Sequence, residues 1–228
     1  MNKIIFKFAL SFALLVNTSI FVFFYPELIE LIEYWLYPLF FVYFIIDSFS
    51  IILPIFNDSI YSSKMLKSRF IEIPNFDKDK LKSLIKRDNH MAILVFFIYF
   101  IGIAIIGFSY IHFDWFEKRF LYLIFFAINF ADYFCIMLWC PFRTWFFKNS
   151  CCNTCRISNW NRIMKFSILI FIPNLYTISI VIIATGIFLY WEIQHLLHPE
   201  RFYRLSNQTL HCTNCDKITC GKQKKSST

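Results

Sequence analysis

The feature that most limits the fold is a series of long apolar runs. Residues 4–24 read IIFKFALSFALLVNTSIFVFF, and comparable runs cover about 34–56, 91–113, 120–140 and 166–191. A helix needs roughly 20 apolar residues to cross the ~30 Å hydrocarbon layer, and lipid offers no hydrogen-bond partner to an open strand edge. The runs therefore predict an all-α integral membrane protein of about five hydrophobic helices. Composition agrees, since 17% of residues are charged against ~25% in an average soluble domain. With 58% hydrophobic residues in 228, lipid must cover surface that a soluble core has no room to hide. The first run follows Lys3 as a signal peptide would. It is longer than a usual signal core and no small-x-small cleavage site follows, so an uncleaved helix is expected.

The polar connections divide the chain into a transmembrane domain, 1–191, and a tail, 192–228. Residues 57–90 hold eight Lys or Arg. Leu66, Phe70 and Ile73, then Leu81, Leu84 and Ile85, recur at helical spacing on either side of Pro74. That pattern predicts two amphipathic helices lying on the membrane face. The link DWFEKR at 114–119 is short enough to force an antiparallel hairpin, which puts 57–90 and the Cys-rich loop 141–165 on one side. Loop 141–165 has Arg143, Lys148, Arg156, Arg162 and Lys165 and no acid. The positive-inside rule makes both loops and the N-terminus cytoplasmic. The net charge of +8 then reads as orientation and attraction to anionic lipid. Nucleic acid is not an expected partner, because no basic helix stands apart from the membrane segments.

The last run, 166–191, leaves two paths open. Its length allows one span, with the tail outside. Pro173-Asn174 interrupts it, since Pro lacks a backbone donor and Asn is costly in lipid, so it can instead re-enter and return at Pro173. Re-entry would gather the cations of the tail on the side that already holds the others. Lys222, Lys224 and Lys225 lie far from the membrane, so the single span is placed ahead. The stretch WEIQHLLHPERF is expected to form an interfacial helix stopped by Pro199.

Three polar side chains fall inside predicted spans: Asp47, Asn129 and Asp132. Such groups usually face a protein interior. They suit either a proton or ion site or an interhelical hydrogen bond, and a small transporter built on Asp47 and Asp132 is one functional reading. Gly102 and Gly107 suggest close helix packing.

The cysteines carry the other readings. Cys135 and Cys140 sit on or at the end of one span. Cys151, Cys152 and Cys155 form one tight group, and Cys212, Cys215 and Cys220 another. Cys152-x-x-Cys155 and Cys212-x-x-Cys215 are two knuckles of the kind that together hold tetrahedral zinc. Cys140, Cys151 and Cys220 would be spare, which leaves room for an iron–sulfur cluster. His195 and His198, three apart, are further candidate ligands. Arg143, Lys148 and Arg156 would favour thiolate. A structural or regulatory metal site is the leading reading. A membrane thiol/quinone oxidoreductase and inert or disulfide-bonded thiols are the alternatives. With four Gly and no Walker, dinucleotide, HExxH or Gly-x-Ser-x-Gly pattern, phosphate-cradling and hydrolase chemistries find no support.

Cys140-Pro-Phe, Cys151-Cys152-x-x-Cys155-Arg156-Ile157, Trp160, Ile172-Pro173, His198-Pro199-Glu200-Arg201-Phe202-Tyr203 and Cys212-x-x-Cys215 together give a specific pattern over about 140–220. In this it resembles a group of uncharacterised bacterial multi-pass membrane proteins. The resemblance implies a bacterial cytoplasmic membrane and gives weight to both cysteine groups; it implies no activity.

Overall fold

In a computed structural model the described residues are 3–25, 27–28, 35, 38–39, 41–42, 44–45, 65–113, 115–148 and 155–211. The chain is an all-α membrane protein. Four helices are long and apolar enough to cross a bilayer: α1 (Lys3–Phe24), α2 (Lys78–His112), α3 (Lys118–Met137) and α5 (Leu175–Leu197), with the short α4 (Asn161–Phe166) before the last. Of the predicted span 34–56, the described positions 35, 38–39, 41–42 and 44–45 are helical. Asp47 lies outside the described residues.

The chain separates into two compact units, the first formed by Met1–Phe49, Val95–Cys140 and Trp160–Phe188, the second by Ser50–Leu94, Pro141–Asn159 and Leu189–Thr228. In the first, α1 runs antiparallel to α3. Phe8 and Phe12 meet Phe130 at one end, Phe23 meets Phe120 at the other, and Arg119 donates to the Val22 carbonyl at 3.3 Å. That last bond satisfies one of the orphan carbonyls at the end of α1. Ile103, Leu121, Phe125, Phe126, Ile168, Leu169 and Ile172 form the core of this unit. Ile93, Phe97, Ile101, Ile105 and Phe108 are exposed along α2, as a lipid-facing stripe requires.

The 3₁₀ and α turns from Trp160 to Phe171 and helix α5 lie along α2 as the two legs of a hairpin. Phe96 contacts Trp160 and Phe188 at ring centroids of 6.3 and 6.4 Å, and those two meet each other at 5.5 Å. A Cβ on Gly107, three turns further along α2, would come within 2.2 Å of the Phe171 ring. The chain therefore enters beside Phe96, turns back near Gly107 at Pro173, and returns beside Phe96. Each leg covers roughly 20 Å at ~1.5 Å per residue. The run 166–191 is therefore not one continuous helix but turns back at Pro173, and α5 by itself is long and apolar enough to cross a bilayer. Asn174 is not a liability at the turn. Its side chain accepts from the Thr177 amide at 2.8 Å, its own amide donates to Thr177 Oγ1 at 3.0 Å, and Thr177 Oγ1 donates to the Ile172 carbonyl at 2.7 Å. Those bonds cap α5 and replace the water that the broken backbone would otherwise need. Of the two predicted packing glycines, Gly107 makes the close approach and Gly102 has nothing within 4 Å.

The second unit corrects two more expectations. Residues 78–90 are not a separate helix lying on the membrane; they are the first turns of the 35-residue α2, which at ~52 Å exceeds the hydrocarbon layer. Asp77 starts it by accepting from the Asp79 and Lys80 amides at 3.0 and 2.9 Å. Among the described residues before it are a 3₁₀ turn, Lys67–Arg69, and a turn with Asn75 at φ 57°. WEIQHLLHPERF is likewise not a free interfacial helix. It finishes α5 at Leu197, and Pro199 opens a 3₁₀ turn to Phe202.

Candidate functional site

The first unit holds two of the polar residues singled out from the sequence. Asp132, on α3, pairs with Lys165 at 2.7 Å, and Lys165 lies over the Tyr133 ring at 4.7 Å. Lys165 is buried. The sequence puts it among the cations of loop 141–165; in the structure it neutralises the Asp132 carboxylate. Asn129 is half-buried one turn before Asp132. Tyr99, not singled out from the sequence, bonds the Met164 carbonyl and Ser167 Oγ. Cys140 is buried and Cys135 half-buried in this unit, both as thiols.

The second unit holds Cys155, a buried thiol 3% exposed. The other predicted ligands Cys151, Cys152, Cys212, Cys215 and Cys220 lie outside the described residues. Among the described residues no three His, Cys, Asp or Glu side chains are grouped to hold a metal ion. The chain beside Cys155 is tightly held. Arg156 Nε donates to Glu192 Oε1 at 3.1 Å, its Nη2 to Glu192 Oε2, and its Nη1 to Asn89 Oδ1. The guanidinium of Arg156 shares its charge with the Glu192 carboxylate. Asn159 donates to the Met65 sulfur at 3.6 Å.

The two candidate histidines have different neighbours. His195 is 3% exposed, packed on Phe202 and Tyr203, with Nε2 3.4 Å from the Tyr203 hydroxyl and Nδ1 buried without a hydrogen bond among the described residues. His198 faces the other way chemically, its Nδ1 3.3 Å from Glu200. His195 lies within α5, and His198 follows its last residue, Leu197. Burial, with the nearby Asp88 carboxylate adding to it, pushes the Tyr203 phenol well above its ordinary value, so Tyr203 stays a proton donor.

After Tyr203 the tail folds back on the second unit. Asn207 is fully buried. Its Nδ2 donates to the Arg201 carbonyl at 2.7 Å and its Oδ1 accepts from the Thr209 amide at 3.0 Å. The Ile73 amide donates to the Ser206 carbonyl, and the Gln208 amide to the Ile71 carbonyl, around an isolated bridge between Glu72 and Asn207. His211 Nε2 lies 2.8 Å from the Arg204 carbonyl. The tail is thus built up to the residue before Cys212. Nothing in the sequence signals this fold-back, because Ser206 and Asn207 read as ordinary polar tail residues until the structure shows them buried.

Compared with family models, curated protein sequences and solved structures, the chain matches none.

Proposed function

We propose that this protein is a metal-binding membrane protein, holding zinc or an iron–sulfur cluster on Cys152 and Cys155 from the loop and Cys212 and Cys215 from the tail. The observation that carries the reading is the hairpin at Pro173. Trp160 and Phe188 share one end of it, so the loop that precedes it and the tail that follows it leave at the same end. Two C-x-x-C knuckles on one side of a membrane can meet on one ion; on opposite sides they cannot. Cys155 and the tail knot also belong to one unit. By its cations this side is the cytoplasmic face of a bacterial membrane, with anionic lipid as partner. There glutathione and thioredoxin keep thiols reduced, which suits ligation better than disulfide exchange with a quinone. The transporter reading loses support because Lys165 already holds Asp132.

Metal analysis of protein purified under reducing conditions tests this. Stoichiometric zinc or iron is expected, and its loss in Cys152→Ser and in Cys212→Ser. Protein free of both metals refutes the reading.

A further inference from the structure

We propose that the start of α2 and the π-helical turn Phe142–Phe147 together bind the headgroup of an anionic phospholipid, with Lys86, Arg87 and Lys148 as the cations and Trp145 as the apolar edge. The inference rests on the membrane and basic-face parts of the reading above and not on the cysteines. Both segments belong to the second unit. Arg87 joins them, its Nη2 donating to the Phe147 carbonyl at 3.2 Å. Phe147 is fully buried, so the turn is anchored there. Lys148, the next residue, leaves the turn at φ 48° and so starts beside the Arg87 guanidinium. The charges gathered here do not cancel. Arg87 pairs with Asp88 at 2.8 Å, but 44% of the arginine side chain is exposed against 8% of the aspartate. The cation therefore reaches the surface and its counterion does not. Lys86 and Lys148 are exposed and make no ion pair among the described residues. Like charges held together repel until an anion joins them.

Depth selects the anion. Lys86 and Ile93 are seven residues apart and share a face of α2. Ile93 and Leu94, both exposed, begin its lipid-facing stripe. Lys86 lies about 10 Å before Ile93, where a lysine stem reaches the headgroup layer. Trp145, two residues before the anchored Phe147, is 65% exposed, and tryptophan collects at that same level of a bilayer. A phospholipid supplies both a phosphate for the cations and an interfacial layer for the indole. A soluble anion meets the cations alone.

The test reconstitutes full-length protein in phosphatidylcholine vesicles with a minor fraction of phosphatidylglycerol, one lipid or the other carrying bromine on its acyl chains. Bromine quenches an indole it touches, and subtracting the signal of Trp145→Phe isolates Trp145. Mole for mole, brominated phosphatidylglycerol is expected to be favoured about 25-fold, with roughly a factor of 5 from each unpaired lysine. Lys86→Gln and Lys148→Gln should each lower the preference by that factor. Both side chains are exposed, and should one variant fold poorly the other decides. Lys78→Gln, an exposed lysine about 12 Å further from the membrane along α2, should leave the preference unchanged. An equal fall in Lys78→Gln, or none in Lys86→Gln and Lys148→Gln, overturns this site and leaves a general attraction of the basic face standing. No preference in the native protein overturns the site and the basic-face reading together. Inorganic phosphate that abolishes the preference, where chloride at equal ionic strength does not, assigns the cations to a soluble anion and overturns the lipid.

Discussion

At the scale of single residues, the costs that a membrane imposes are met by named partners. Asp132 would be expensive in lipid alone, and Lys165 at 2.7 Å removes that cost. Breaking a buried pair by removing one member leaves a charge uncompensated. Lys165→Met is therefore expected to destabilise the protein by about 3–5 kcal/mol, read by denaturant unfolding in detergent. Replacing both members, as Lys165→Met with Asp132→Leu, should recover most of that loss. Tyr203 gives a pH signature. Its phenol is held above the ordinary value of 10.0 by burial and by Asp88. Above pH 10 the unfolded chain loses this proton while the folded chain keeps it, so stability falls as pH rises there, by up to about 1.4 kcal/mol per pH unit for one group. Tyr203→Phe should flatten that alkaline arm relative to the native protein. The sequence made Asp132 legible as a charge needing an explanation. It did not make Lys165 legible as the answer, because a lysine just before an apolar run reads equally well as the end of a loop. Nor did it show Asn174 as a cap, since an Asn after Pro in an apolar run looks like a defect until Thr177 is seen to return its hydrogen bond.

At the scale of elements, length and hydropathy located the helices and said little about where chains turn. The runs at 4–24 and 120–140 became α1 and α3 with small shifts of boundary. The periodicity of Leu81, Leu84 and Ile85 was helical as expected, yet nothing local distinguishes a helix lying on a membrane from one that continues into it. Asp77 as the cap and the absence of any break after it were the available signals. The hairpin of Trp160–Phe171 against α5 was half legible, through Pro173. Its depth depends on Gly107. A Cβ there would lie 2.2 Å from the Phe171 ring. Gly107→Ala should thus cost about 1–3 kcal/mol through overpacking, and Phe171→Leu in the same chain should restore part of it. If the single change leaves the unfolding midpoint untouched, the two legs are not pressed together as described. Asn174→Leu acts on the same element by another route. It strips the α5 cap from an already broken backbone, and a loss of about 1–2 kcal/mol is expected.

At the scale of the whole molecule, the path around Pro173 decides which side the tail occupies, and with it whether two cysteine groups can act together. Charge alone pointed one way and run length the other. The aromatic contacts of Phe96 with both Trp160 and Phe188 settle the local geometry of the turn, and its consequence for sidedness is open to direct measurement. Variants retaining only Cys152, only Cys212 or only Cys215 would be treated in intact cells with a membrane-impermeant maleimide, then again after permeabilisation. A hairpin returns the chain to its starting side, so all three should behave alike. If that side is cytoplasmic, as the positive-inside rule predicts, none labels until the membrane is opened. Should Cys212 and Cys215 label in intact cells while Cys152 does not, the chain crosses once between them. A shared ion would then be impossible whatever metal the protein contains. Should all three label in intact cells, the hairpin survives but the cations face outward, and the thiols sit where oxidation rather than ligation is the ordinary fate of close cysteine pairs. The three outcomes separate the fold, the orientation and the chemistry.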